Sequence, residues 1–278
     1  MSRLSNARNA IMGGGRTLWA FLSMEARMSV SYPLGFVMQQ LAVLLPLFIY
    51  FFVSDLVEST SVLGNDYFSF VVIGLLGLQA LNAGMRAFGN QLDLAMNRGW
   101  FEFILVEPLR WSMIPLSLAS WPIILGLVGS LIIALLALAM GATFDMAGLL
   151  PGIGILVMGI VAGLAVGVLS ACLKVLAKSG DPLLNLYTFA AQILSGAYFP
   201  TENLPAWLKP LSWLLPHTYV ISGMRKAMMV NSSEVAGPDI GVSMMGLAVF
   251  VFVLMPFALW LFNRALQYGR RIGVLAGY

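Results

Sequence analysis

Residues 242–263 read VSMMGLAVFVFVLMPFALWLFN, twenty-two consecutive positions without Asp, Glu, Lys or Arg. A helix needs about 20 mostly apolar residues to cross the ~30 Å hydrocarbon core of a bilayer, so this stretch reads as a membrane-spanning helix. Working outward from it, five more charge-free intervals of sufficient length occur, at 28–54, 67–85, 111–144, 146–173 and 182–201, and the last run itself extends over 240–263. The third has room for a span and a preceding turn at Pro115 or Pro122. The reading is an all-α integral membrane protein with six transmembrane helices.

Composition agrees. Sixty percent of the 278 residues are apolar, 10% are charged and the mean hydropathy is +0.90, whereas soluble domains run near half apolar and a quarter charged. The chain lacks the charged surface a soluble domain needs, and a single membrane domain over 1–278 is expected. The net charge of +3 comes from 15 basic and 12 acidic residues that form no phosphate-tracking run, which argues against nucleic acid as a partner. The lone Cys172 allows neither an internal disulfide nor a cysteine metal cluster. The opening MSRLSNARNAIMGGGRTLW lacks the continuous apolar core of a signal peptide, and reads as a retained cytoplasmic segment.

Cytoplasmic connections carry the excess of Lys and Arg. With six spans, one side receives Arg3, Arg8, Arg16, Arg27, Arg86, Arg98, Arg110, Lys174, Lys178, Arg264, Arg270 and Arg271, and the other only Lys209, Arg225 and Lys226. Both termini are therefore expected in the cytoplasm, with a long external segment over about 202–239.

Three segments flank these spans. TLWAFLSMEARMSVSYP, 17–33, sets Leu18, Phe21, Leu22 and Met28 near one helical face and Arg16, Glu25 and Arg27 elsewhere, as an interfacial helix does. DLAMNRGWFEFILVEPLR, 93–110, mixes charges with large apolar residues and reads as a short amphipathic cytoplasmic helix or a plain connecting loop. LSGAYFPTENLPAWLKPLSWLLPHTYV, 194–220, holds Pro200, Pro205, Pro210 and Pro216 with Trp207 and Trp213. Prolines at that spacing break helices repeatedly, and the tryptophans suit the interface belt, so this segment is expected to dip partly back toward the membrane.

Catalytic material is scarce. No Gly-x-x-x-x-Gly-Lys-[Ser/Thr] loop occurs, and the glycines at 13–15 follow no strand. His217 is the only histidine and stands beside Pro216, where a solvent-facing or interface role is expected rather than a metal site or triad. Ion-coupled carriers place ionisable residues inside their spans, and the six runs hold none, so the energy for transport is expected from a partner. Gly159, Gly163 and Gly167 recur every fourth position in the fourth span, a small-residue stripe that lets a neighbouring helix approach closely, within the chain or across a dimer.

GWFEFILVEP at 99–108, together with LSGAYFP at 194–200, Asn203-Leu204-Pro205 and LLPHTY at 214–219 closing on Arg225, resembles the two signature segments of the permease subunits of type-2 ABC exporters, a group that includes drug-resistance, polysaccharide and lipid export permeases. The resemblance covers nearly the whole chain, with Glu107 where the family often has Thr. It implies a cytoplasmic N-terminus and connector helix over 1–33 and a coupling helix over 93–108, where Gly99, Trp100, Glu102, Phe103 and Pro108 would meet the ATPase. It also implies external re-entrant helices over 200–218, with Phe199, Pro200, Pro205, Trp207, Pro216 and Tyr219 at the exit. The implied partners are two separately encoded ABC ATPases, which carry the ATP and Mg this chain does not bind, and a second permease copy or a homologue, in the cell membrane.

The expected function is export of a hydrophobic or amphipathic compound, through a cavity walled by aromatic and methionine side chains. Export of a lipid-linked polysaccharide is the alternative within transport. A scaffold or membrane enzyme is the alternative outside it, the latter disfavoured because Ser, Asn and Gln look scattered along the chain.

Overall fold

The computed structural model describes residues 18–29, 33–58, 67–99, 113–177, 181–198, 204–230 and 237–271, with single positions 15, 31, 101 and 201. Among them there is no strand. In chain order the helices are α1 over 18–29, α2 Pro33–Glu58, α3 Tyr67–Asn97, α4 Met113–Ala139, α5 Leu149–Ala177, α6 Asp181–Leu194, α7 Lys209–Trp213, α8 Pro216–Met228, α9 Ile240–Val249 and α10 Met255–Arg271. A π-turn, Phe250–Leu254, joins the last two into one rod. It precedes Pro256, which has no N–H to return to the carbonyl four residues back.

Five of these elements are long and apolar enough to cross a membrane: Pro33–Ser54, Tyr67–Asn97, Met113–Ala139, Met146–Leu176 and Ile240–Gly269. They correspond to five of the six expected spans. The sixth, over 182–201, differs. Its helix α6 has 14 residues, about 21 Å at 1.5 Å per residue, short of the hydrocarbon core. The chain leaves α6 at Ser195, and Gly196 adopts φ 76°, the left-handed conformation common just past a helix end.

Helix α3 is the axis of the fold. Its 31 residues pack against α2, α4, α5 and α8, and side chains such as Val71, Leu81, Met85, Phe88 and Leu92 are fully buried. The closest approach is to α5 and is made through glycines. A Cβ built on Gly163 would lie 2.5 Å from the Leu81 carbonyl oxygen, one on Gly167 would strike the Met85 carbonyl, and one on Gly84 of α3 would strike the Ile160 carbonyl. The stripe thus faces a helix of its own chain, and Gly84 answers it from the other side. Gly159 continues the contact, against Val220 of α8. Below this seam Phe88 meets Phe262 of α10 edge to face at 5.1 Å. By contrast α2 presents Leu41, Leu45, Phe48 and Phe52 outward, toward lipid or another chain.

Replacing Gly163 with Leu should lower thermal stability in detergent by the equivalent of at least about 1–3 kcal/mol, the usual penalty for overpacking. The matched change Gly35→Leu, at a glycine with open space around it, should leave the melting temperature in place. Equal melting of the two variants would refute the seam.

Candidate functional site

On α3, Gln79, Asn82, Arg86 and Asn90 follow one another at spacings of three and four, and so line one helical face. Together with Gln91 and Leu94 they form one wall of a cavity of about 370 Å³. Gln40 of α2 and Trp121, Pro122 and Leu125 of α4 supply other walls, and Glu25 and Ser29 of α1 complete it. The N-terminal helix is docked by two side-chain hydrogen bonds: Gln91 Nε2 donates to Glu25 Oε2 at 3.2 Å, and Trp121 Nε1 donates to Ser29 Oγ at 2.8 Å. Arg86, exposed, donates from Nη2 to Asn185 Oδ1 of α6 at 3.2 Å.

Amide groups and Arg86 line the cavity, and the buried atoms left unpaired on it are oxygens. Gln91 Oε1, Asn82 Oδ1 and Gln40 Oε1 are buried with no hydrogen-bond partner among the described residues. Amide orientation is often ambiguous, but at Gln91 it is settled by the partner. An ionised carboxylate only accepts, so the amide nitrogen belongs on Glu25 and the oxygen is the free atom. A buried polar atom left unpaired costs about 1–3 kcal/mol. Three around one cavity mark a place that water or a ligand satisfies.

These walls differ from the aromatic and methionine lining expected. The charge-free run 67–85 ends at Arg86, yet α3 continues to Asn97, so one long helix carries both an apolar crossing and a polar stripe at its end. The amides look scattered in the sequence because their spacing is helical; reading Gln79, Asn82, Arg86 and Asn90 at three and four would have collected them. Glu25 also differs, since it turns inward and is half-buried. Burial raises its carboxyl above the ordinary range, partly offset by the Gln91 hydrogen bond and the Arg98 charge.

Near this end of α3, Lys174 of α5 is buried. It pairs with Asp93 of α3 and, at 2.6 Å, with Asp181 at the start of α6, and it reaches the Gly89 carbonyl at 3.4 Å. The lysine counted as a loop charge is thus a tie between three helices. Asp93 and Asn97 belong to α3, Gly99 occupies the following turn with φ 72°, and Phe101 is buried. Trp100, Glu102, Phe103 and Pro108 lie outside the described residues.

Another charge is buried on α8. Arg225, 4% exposed, donates to the Phe70 carbonyl of α3 at 3.1 Å and to the Gly196 and Ala197 carbonyls beyond α6 at 2.6 and 2.5 Å, with its guanidinium over the Phe70 ring. It satisfies carbonyls of the turn that follows α6. Within the Pro-rich segment, Pro205 and Trp207 are exposed, Pro216 begins α8, and Tyr219 donates its hydroxyl to the Trp213 carbonyl at 2.9 Å. Phe199 and Pro200 lie outside the described residues. His217 corrects the solvent-facing expectation. It is fully buried with its ring edge on Tyr187 at 5.7 Å, because the turn of α7 into α8 folds it inward.

Arg225→Lys keeps the charge but cannot fork across three carbonyls, and should cost about 2 kcal/mol, roughly one hydrogen bond to a charged group, read as a lower melting temperature. Glu25 has a folded pKa above its reference of 4.5, so the stability tied to its protonation is full below pH 4.5 and is lost as pH rises through the folded value. Glu25→Gln should therefore remain more stable than the unmodified protein at neutral pH, with the difference closing toward pH 4. A difference independent of pH would refute the assignment.

No curated protein matches the sequence significantly. A family model described as ABC-2 type transporter matches residues 17–229, well over half of the chain, from α1 to the end of α8. That family comprises the membrane permeases of type-2 ABC transporters, a transport family rather than a catalytic one, whose members imply ABC ATPase partners. With its apolar spanning helices and this match, the chain is an integral membrane permease and belongs to the ABC-2 type transporter family.

Proposed function

We propose that this chain is the permease of an ATP-driven exporter that moves an amphipathic or hydrophobic compound out of the cytoplasm or the inner leaflet. The family match over 17–229 carries the reading. The chain has no phosphate-binding loop, so ATP and Mg belong to a separate ATPase, where hydrolysis supplies the driving force. Two ATPases and two permease copies, identical or homologous, complete the assembly. The polar cavity beside outward-facing apolar helices favours an amphipathic substrate over a uniformly apolar one. A lipid-linked polysaccharide fits the same family and remains the second reading within transport.

The sixth crossing, in this proposal, is divided between two elements. Helix α6 is too short to cross alone, and Arg225 joins its end to α8. The segment from Asn203 to Glu234 then returns on the external side. Both termini and the stretch from Lys174 to Asp181 are cytoplasmic, in keeping with the distribution of basic residues. The segment 93–108 meets the ATPase, because closure driven by ATP reaches the spans only through a docked element whose contacts differ between two states.

A gentle pull-down of the full chain should recover an ABC ATPase; recovery of none, with no ATP-driven efflux in vesicles, would favour a scaffold. Glu102→Arg should preserve membrane insertion and weaken ATPase association or uncouple hydrolysis from efflux; if association, basal hydrolysis and efflux all stay unchanged, 93–108 is a loop without a coupling role. In a Cys172→Ser background, Ser232→Cys should react with an impermeant thiol reagent in intact cells and Ser179→Cys should not. Labelling of the latter would invert the topology.

A further inference from the structure

The acceptors around the cavity restrict what it can hold. Trp121 already gives its N–H to Ser29, and Gln91 gives its own to Glu25. Unpaired there are the oxygens of Gln91, Asn82 and Gln40, beside the Glu25 carboxylate. Gln91 decides the matter, since it is 7% exposed and its orientation is fixed by the carboxylate. A group that complements such a set donates several hydrogen bonds and carries positive charge. An alkylammonium, with three N–H donors and no acceptor, does both. It also offsets the desolvation of Glu25, which the Gln91 hydrogen bond and the Arg98 charge compensate only in part.

The surroundings say what carries the ammonium. Leu94, Pro122 and Leu125 supply an apolar part of the wall, and the adjoining α2 exposes Leu41 and Leu45, so an alkyl chain attached to the amine has apolar surface to follow. Arg86 is exposed and held by Asn185. An anionic group next to the amine fits there, and a plain amine leaves that arginine on its present partner.

We propose that this cavity binds the protonated amine of an amphiphile, with Gln91, Asn82 and Glu25 as its acceptors and Gln40 completing the shell. Two sources share that chemistry: a membrane lipid with a phosphoethanolamine head, and a cationic amphiphile that is itself the cargo. The inference deepens the exporter reading and rests on it for the fate of the ligand. Occupancy of the cavity is measurable without ATP.

The test is native mass spectrometry of the purified full chain with its partner ATPase, free of nucleotide, titrated with dihexanoylphosphatidylethanolamine, dodecylamine and dihexanoylphosphatidylglycerol. ATPase association and ATP-driven efflux are followed on the same preparation, so that failure of the exporter reading is seen apart from failure of the site. At least one amine probe should bind about tenfold more tightly than the amine-free phosphatidylglycerol, as loss of one hydrogen bond to a charged group implies. Gln91→Leu should remove most of that preference and leave phosphatidylglycerol binding unchanged. Asn82→Asp adds a negative charge at nearly constant shape and should tighten amine binding severalfold, so the site is testable even where Gln91→Leu fails to assemble.

Tighter binding of the phosphatidylethanolamine assigns the lipid source, with Arg86 on the phosphate. Equal or tighter binding of dodecylamine assigns the cationic amphiphile. The proposal is overturned if neither amine is preferred over phosphatidylglycerol, or if Asn82→Asp leaves amine affinity unchanged.

Discussion

Everything in this fold is arranged around a place where two helix backbones touch. Lipid tails are as apolar as Leu, so apolar burial gives little drive for helices to associate inside a membrane. Close van der Waals contact and hydrogen bonds have to do it instead. Gly84 on α3 against Ile160, and Gly163 and Gly167 on α5 against Leu81 and Met85, bring the two backbones together without side chains between them. That contact fixes α3 in the centre, with α4, α8 and α2 arranged about it. Gly126 of α4, set against the Ala83 side chain, and Gly77, set against Val220 and Ile221 of α8, repeat the device on other faces of α3.

A central helix gripped on several sides has little freedom in where it can leave space. Between the α4 and α2 contacts, the face bearing Gln79, Asn82, Arg86 and Asn90 is left facing a gap that α1 covers. The cavity therefore follows from the packing. Small residues on the gripped faces permit close approach, while long amides on the remaining face hold α2 and α4 away. Glu25 and Ser29 then attach α1 to polar partners that would otherwise be unpaired, which explains why an interfacial helix keeps an acid on its inner side.

Much of this was legible in the chain, and the rest was hidden for identifiable reasons. Charge-free length located five helices of spanning size, because the demand for about 20 apolar residues is a property of the bilayer alone. It over-read 182–201, since Ser195 and Gly196 are uncharged and a helix end made by a left-handed glycine leaves no mark in a charge count. The stripe of Gly159, Gly163 and Gly167 was visible as a stripe, but which neighbour it faces is a tertiary fact. Charges mislead most where they are buried. Lys174 and Arg225 read as loop charges, although each is satisfied inside the protein by partners that include Asp93, 81 positions from Lys174, and Phe70, 155 positions from Arg225, which no local pattern reports. His217 is hidden for a different reason: the turn into α8 buries its ring beside Tyr187, which its place next to Pro216 does not show.

Those two buried charges bear on α6 in a way that contrasts with α3. Along its length α6 exposes Leu183, Leu186 and Phe189, and only Leu184, Thr188 and Ala191 are buried on it. At its ends it is held by Asp181 on Lys174 and by the Gly196 and Ala197 carbonyls on Arg225, and along its length by Asn185 on Arg86 and Tyr187 on the His217 ring. Helix α3 is fixed by contacts of backbone on backbone, with no side chain between them to change rotamer. Helix α6 is held largely by directional bonds, and the two groups at its ends are shared with other elements: Lys174 with Asp93 and Arg225 with Phe70. At the Lys174 end α6 meets α3 and α5 through a charge pair, Asp181 on the lysine that also holds Asp93. The seam between α3 and α5 is thus built from backbone contact, whereas α6 is joined to the rest of the chain chiefly through the side chains of Lys174, Arg86 and Arg225.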